Sequence, residues 1–228
     1  MQTRIFNADA LDVINRLTDA GERFEAIITD PPYCSRIAGR GLKKYYKGET
    51  LEKPEYSCEN LSPNAFLINT RMWMMAAVKA LVEGGYFFCF SDFRQIAFFS
   101  SCLEMAGIDY RGLIVWDKKN ARPQKGQFTQ QTEFVIWGTK GFPMTEKIKS
   151  GLIRVSSVPS KNRLHPCQKP VEVIDHLIDI LPAGSRILDP FAGSGSTAEA
   201  AIRRGFDFTG IELNPYYFKI LGERIKCL

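Results

Sequence analysis

Strand-length apolar runs alternate with helical patterns along the whole chain, and this alternation is the feature that most constrains its fold. Arg4-Ile5-Phe6 reads as a short strand, followed by a helix over Ala8 to Ala20 that Gly21 closes. Glu25 to Asp30 is a buried strand ending in a carboxylate. Ser62 and Pro63 offer an N-cap and a first-turn proline to a helix that stops before Gly84-Gly85. Tyr86 to Phe90 is the next strand, and Asp92 opens a helix that closes at Gly107. Two strands follow, Leu113 to Asp117 and Glu133 to Gly138. Pro170 begins a helix running to Leu181-Pro182. The last elements are a strand at Arg186 to Asp189, a helix at Thr197 to Arg204, a strand at Phe208 to Glu212 and a helix at Tyr216 to Ile225. The expected fold is α/β and doubly wound, with about seven mostly parallel strands and crossover helices. Two stretches, Cys34 to Leu61 and Thr139 to Leu164, fit neither pattern. Structureless segments longer than about 12–15 residues are usually functional or mobile.

The 228 residues, 45% of them apolar, are read as one domain spanning 1–228. A chain of this length buries roughly 70% of its unfolded surface and needs no disulfide or metal staple. Six cysteines (Cys34, Cys58, Cys89, Cys102, Cys167, Cys227) are scattered without a C-x-x-C pair, so they read as reduced thiols, with Cys89 and Cys102 in the core. Only His165 and His176 are present, which argues against a Cys/His zinc site and against a Ser-His-Asp relay. No metal is expected. The start carries no signal peptide, and the longest apolar run, Met72 to Val82, is broken by Lys79. A cytoplasmic protein without a membrane partner is expected. Trp73 with Met72, Met74 and Met75 reads as core packing.

Near the C-terminus, Leu188-Asp189-Pro190-Phe191-Ala192-Gly193-Ser194-Gly195-Ser196-Thr197 sets a Gly-x-Gly turn between a buried strand and a helix. Glycines there admit a ligand close to the backbone, and the helix start offers free N–H groups to an anion. The next strand ends in Glu212, whose carboxylate can accept hydrogen bonds from ribose hydroxyls. This order of strand, glycine turn, helix, strand and acid is a nucleoside half-site. The chain ends soon after Glu212, so the rest of the sheet comes from the N-terminal strands, and the order of the fold is permuted.

Directly after an early strand stands Asp30-Pro31-Pro32-Tyr33. Two prolines fix φ twice and remove two N–H donors, giving a rigid turn with outward carbonyls. Asp30 and the Pro31 carbonyl can accept both hydrogens of an amino group, while Tyr33 stacks on the ring that bears it. With each residue type at roughly 3–6% of sequence, such a tetrapeptide arises by chance on the order of once in 10³ chains of this length.

Taken together, Asp30-Pro31-Pro32-Tyr33 first and Asp189 to Thr197 last resemble the S-adenosylmethionine-dependent DNA amino-methyltransferases, in the order of their permuted β group. His165-Pro166-Cys167-Gln168-Lys169-Pro170 resembles the family's motif at the methionine end of the cofactor, and Ile211 to Pro215 its ribose-binding strand. Asn7-Ala8-Asp9 resembles the segment near the cofactor adenine. Trp116 to Asn120 and Glu133 to Gly138 fit its later strands. Ala8, Cys167 and Ser196 depart mildly from the family's usual Gly, Thr and Thr, and the region before His165 is too short for a large recognition insert.

The resemblance implies a Rossmann-like methyltransferase sheet, circularly permuted, with S-adenosylmethionine as cofactor. It implies Asp30, Pro31, Pro32 and Tyr33 as the catalytic set. Cofactor candidates are Asp9, Ala10, His165, Gln168, Lys169, Asp189, Phe191, Gly193, Ser194, Gly195, Ser196, Thr197, Glu212 and Asn214. The implied reaction is methylation of the exocyclic N6 amine of a flipped-out adenine in double-stranded DNA. The alternative within the family is N4 of cytosine; an Asp at the first motif position favours adenine. A dinucleotide-dependent oxidoreductase would want a third spaced glycine and would leave the Asp-Pro-Pro-Tyr turn idle. An inactive DNA-binding module would make intact catalytic residues accidental.

The net charge of +5 is unevenly spread. Cys34 to Gly48, Arg111 to Lys125 and Lys140 to Pro170 are all strongly basic, and all three are expected at the catalytic edge of the sheet. Arg36, Arg40, Lys43, Lys44, Lys47, Lys118, Lys119, Arg122, Lys125, Lys161 and Arg163 are the DNA-contact candidates, with segments 34–61 and 139–164 as DNA-contacting loops. A short target, or a homodimer that shares recognition surfaces, would suit so small a recognition region. The residues specify no restriction endonuclease partner.

Overall fold

The computed structural model describes residues 1–32, 62–121, 123 and 125–228. Its elements run β1 (Thr3–Phe6), α1 (Ala10–Asp19), β2 (Phe24–Thr29), α2 (Pro63–Lys79), β3 (Leu81–Ser91), α3 (Ile96–Met105), β4 (Asp109–Asp117), β5 (Thr132–Thr139), β6 (Leu152–Arg154), α4 (Val171–Ile178), β7 (Arg186–Asp189), α5 (Ser196–Arg203), β8 (Asp207–Ile211) and α6 (Pro215–Lys226). The strands form one sheet in the order β1-β8-β7-β2-β3-β5-β4-β6. Both pairings of β5 are antiparallel and all the others are parallel, so seven strands share one direction. Their C-terminal ends make a common carboxyl edge, where ligands bind in open sheets of this kind.

Alternation along the central strands splits the interior into two apolar layers. Ile27, Phe87, Cys89 and Ile136 face α1, α2 and α3. Ala26, Ile28, Tyr86, Phe88, Phe90 and Val135 face α4, α5 and α6. Each fully buried large side chain contributes about 1.5–3 kcal/mol, and Phe87 and Phe90 are both within 1% of complete burial. This double coverage explains why β2 and β3 read as continuous apolar runs. Cys89 and Cys102 are buried free thiols, as expected for core residues. Trp73 and Met74 are also buried, but Met72 and Met75 are exposed, which corrects the reading of that stripe as wholly core. Among the described residues no helix is long and apolar enough to cross a membrane.

Several boundaries differ from the expected ones, and one strand is added. Helix α2 starts as predicted, with Ser62 Oγ accepting from Ala65 N at 3.3 Å, but it ends at Lys79 rather than just before Gly84. Gly84-Gly85 does not separate helix from strand; it lies inside β3, at the register break between the Phe24–Leu81 and Ala26–Tyr86 pairs. Gly84 has φ +77°, and a Cβ there would stand 2.9 Å from the Phe142 carbonyl oxygen. At Asp92 the carboxylate accepts from Arg94 N and closes a turn, so α3 begins only at Ile96. An eighth strand, β6, lies inside the segment 139–164 and pairs with β4. Three residues are too few for a period to show in sequence.

Candidate active site

The carboxyl ends of β2 and β7, adjacent strands, bring the two sequence motifs together. Asp30 follows β2 directly, with Pro31 buried behind it and Pro32 half-buried. Asp30 Oδ2 accepts from Lys169 Nζ at 2.6 Å. Lys169, itself 7% exposed, also lies 3.4 Å from Glu133 Oε2 and 5.1 Å above the Phe90 ring centre. Burial pulls the Lys169 ammonium down, but Asp30 and Glu133 outweigh it and hold the group above the ordinary lysine value. Lys169 therefore stays charged.

The glycine turn is built differently. Gly193 and Gly195 take left-handed φ values of +51° and +84°. A side chain at Gly195 would meet Leu221 Cδ1 at 2.6 Å, whereas Gly193 faces open space. Helix α5 starts without a capping side chain, leaving backbone N–H groups at its end available to an anion. Ser194, Ser196 and Thr197 are buried, and Ser196 Oγ donates to the Lys169 carbonyl at 2.7 Å, tying the turn to the other motif.

Two carboxylates flank the turn. Asp189 Oδ1 accepts from Phe191 N at 3.0 Å. Burial pushes the Asp189 carboxyl up to about 7, despite lowering hydrogen bonds from Thr197 and Phe191. Glu212 accepts from Gly193 N at 2.9 Å through one oxygen and from Asn214 N at 2.8 Å through the other. Burial raises its pKa as well, against those two backbone donors. Asn214 additionally caps α6, its Oδ1 accepting from Tyr216 N. Asn7 donates to the Glu212 and Leu213 carbonyls and joins β1 to this corner. Phe191 packs edge-on against Trp73 at 5.0 Å.

The remaining cofactor candidates also converge on this edge. Asp9 caps α1, accepting from Leu11 N and Asp12 N, and Ala10 is the buried first residue of that helix. His165 Nδ1 accepts from Cys167 N at 3.1 Å, and the ring packs edge-on to Tyr217 at 4.3 Å. Burial, helped by Lys169, lowers His165 to about 4, so the ring is neutral at pH 7. Gln168 Oε1 accepts from Leu164 N at 2.7 Å and tightens the same turn.

Glu133 and Lys118 add to the site a pairing that no sequence motif indicated. Glu133 read only as the first residue of a strand, yet it faces the Lys169 ammonium. Lys118, a DNA-contact candidate, lies 2.7 Å from Glu133 Oε1. The one available signal was a carboxylate opening an otherwise apolar strand on its buried side.

The expectation that all three basic runs share the catalytic edge is corrected by the direction of β5. Because β5 runs backwards, Thr139 and Lys140 emerge at the opposite edge. Lys140 Nζ donates there to the Val78 and Leu81 carbonyls, and Lys147 to those of Asp179 and Leu181. Lys149 pairs with Asp179, and Arg111 with the Gly141 carbonyl. Lys119 and Lys125 follow the carboxyl end of β4, and the chain returns through β6 ahead of Lys161 and Arg163, so all four stand on the carboxyl side. There Asn120 accepts from Ser157 N and Oγ, joining the loops after β4 and β6, while Arg163 donates to the Val158 and Pro166 carbonyls. Tyr33, Arg36, Arg40, Lys43, Lys44, Lys47 and Arg122, and the segment 34–61, lie outside the described residues.

The DNA methylase family model of N6/N4 type matches residues 24–150 and 145–223 of the chain. A type II methyltransferase of Streptococcus pneumoniae, M2.DpnII, is 28% identical over 230 residues, 90% of this chain and 84% of that protein. The crystal structure of the M1.HpyAVI–SAM complex is similar with a TM-score of 0.75 and 26% identity, covering 98% of this chain and 99% of that one. PvuII DNA methyltransferase, cytosine-N4-specific, shares the fold with a TM-score of 0.71 at 16% identity, over 98% of this chain and 86% of that one.

Proposed function

Because the chain belongs to the DNA methylase family of N6/N4 type, whose cofactor is S-adenosylmethionine, we propose that it methylates the exocyclic N6 amine of adenine in double-stranded DNA. One observation carries this reading. Asp30 and the glycine turn sit on neighbouring strand ends, linked by Lys169, which donates to Asp30 and receives Ser196 on its carbonyl. An amine held at Asp30 and a methyl donor held at the turn then meet over one edge.

The residues fit the donor. The open face of Gly193 admits a ligand against the backbone, and the uncapped α5 start suits its carboxylate. Glu212 is fixed by two backbone donors, and each of its oxygens keeps acceptor capacity for a ribose hydroxyl. Asp9 and Ala10 would border the adenine, while the neutral His165 ring, Gln168 and Lys169 would border the methionine end. Asp189, Phe191, Ser194, Gly195, Ser196, Thr197 and Asn214 shape the turn between them. S-adenosylmethionine supplies an electrophilic methyl group on a sulfonium.

The protein's part is to make a poor nucleophile attack. Asp30 and the Pro31 carbonyl accept the two amine hydrogens and pull the nitrogen toward tetrahedral geometry, localising its lone pair. With the donor bound, the nitrogen lone pair would form the new N–C bond, the pair of the broken S–C bond would remain on sulfur, and one N–H proton would leave past Asp30 to water. Positioning and electrostatics supply the acceleration. Flipping the base out of the duplex costs a few kcal/mol. The permuted order, one catalytic domain over residues 1–228 and a DNA path beside Lys119, Lys125, Lys161 and Arg163 belong to the same proposal.

Adenine is preferred over cytosine on the strength of Asp30 alone. The test is nucleoside mass spectrometry of unmethylated DNA incubated with the protein and S-adenosylmethionine. N6-methyldeoxyadenosine is expected; N4-methyldeoxycytidine instead would overturn the choice of base, and neither product would overturn DNA methylation.

A further inference from the structure

Glu133 lies outside every motif that defines the proposed chemistry, yet its carboxylate is held between two ammonium groups. Lys118 Nζ is 2.7 Å from one oxygen and Lys169 Nζ 3.4 Å from the other. Lys169 continues the line to Asp30 at 2.6 Å. Four side chains from the end of β4, the start of β5, the turn before α4 and the end of β2 thus alternate in sign, plus, minus, plus, minus, and sum to zero.

The Lys169 ammonium has three N–H donors and no acceptor. Asp30, the Cys167 carbonyl at 3.4 Å and Glu133 surround it. An ammonium so deeply buried must be matched by nearby negative charge. If Asp30 were its sole carboxylate, the pair would be close to a neutral dipole as seen from the substrate. The field that Asp30 turns toward an amine nitrogen gaining positive charge would then be largely cancelled. Glu133, a second carboxylate on the same ammonium, shares that positive charge and returns part of the field, although Lys118 in turn offsets part of Glu133. Burial alone would push the Glu133 carboxyl up, but Lys169 and Lys118 hold it below the usual carboxylate range, so the second negative charge is present at neutral pH.

We propose that Glu133 is a positioning residue for methyl transfer: through Lys169 it fixes the Asp30 carboxylate and keeps it electrostatically negative toward the substrate amine. This inference rests on the methyltransferase reading above. Glu133 reaches the proposed chemistry through Lys169, so its effect is expected chiefly in the rate of the chemical step.

The experiment measures steady-state methyl transfer to unmethylated DNA by wild type, Glu133→Gln and Glu133→Asp, with thermal melts of each. Gln keeps the shape and removes the charge. Glu133→Gln is expected to lower kcat by about tenfold or more while KM for S-adenosylmethionine stays within about twofold. Glu133→Asp, which keeps the charge on a shorter stem, is expected to recover part of the loss. If Glu133→Gln does not fold, Glu133→Asp carries the test, with kcat reduced and KM unchanged. A Glu133→Gln enzyme with wild-type kcat would overturn the inference. So would a joint fall in kcat, cofactor affinity and melting temperature that Asp does not relieve, because that pattern marks a purely structural residue. No transfer by wild type would instead overturn the methyltransferase reading on which the inference rests.

Discussion

The two halves of the candidate site present carboxylates at neighbouring strand ends and treat them in opposite ways. At the end of β2, Asp30 has a buried ammonium 2.6 Å away, and that ammonium has its own second carboxylate. At the ends of β7 and β8, Asp189 and Glu212 are held by backbone N–H groups, with the Thr197 hydroxyl added at Asp189, and burial raises both pKa values, Asp189 to about 7. In the proposed reaction Asp30 stays anionic beside the substrate amine, and it is given a cation. The carboxylates that shape the glycine turn are given dipoles. The difference separates a half built for charge from a half built for shape.

The largest expected effect is at the charged half. Asp30→Ala should lower methyl transfer by on the order of 10²–10⁴, measured by single-turnover transfer to DNA. Retained turnover would break the contrast, since the amine would then need no anionic acceptor.

Asp189 probes the other half through pH. Its ordinary value is 3.8 and its folded value about 7, so the native state holds this proton more tightly than the unfolded chain. Its contribution to stability is therefore full below about pH 4 and is lost as pH rises toward 7 and beyond, by up to about 4 kcal/mol. Asp189→Asn cannot ionise. The stability of wild type relative to Asp189→Asn, from urea unfolding without cofactor, should fall between pH 5 and pH 8; a constant difference would show that Asp189 is not forced toward its neutral form.

Gly195→Ala tests shape directly. The residue has φ +84° and a Cβ would meet Leu221 Cδ1 at 2.6 Å, so the variant should lose about 1–3 kcal/mol in denaturant unfolding. The smallest effect concerns the two sheet edges. Lys161→Ala should make the slope of log affinity for DNA against log salt shallower by about 0.9. Lys149→Ala, on the opposite edge beside Asp179, should leave that slope unchanged.

The sheet and both turns were legible because local rules and tertiary packing agree there. Buried strands such as Glu25 to Asp30 carry apolar runs that end in a carboxylate, and the glycine turn needs backbone angles that glycine adopts freely. Strand β6 and the bulge at Gly84-Gly85 were not legible, since each depends on a partner far along the chain. The expected basic surface failed in part for one topological reason: a single antiparallel strand carries Lys140, Lys147 and Lys149 to the far edge. Glu133 escaped notice because its role lies in a pairing with Lys169, 36 positions away in the sequence, and no local pattern records such a pairing.

The contrast between the halves is tested most directly by calorimetric titration of S-adenosylmethionine into wild type, Asp30→Ala and Glu212→Ala. Asp30→Ala should bind within about twofold of wild type, while Glu212→Ala, having lost both backbone anchors and the proposed hydroxyl acceptor, should bind at least about tenfold more weakly. A cofactor affinity that collapses in Asp30→Ala and survives in Glu212→Ala would contradict that contrast.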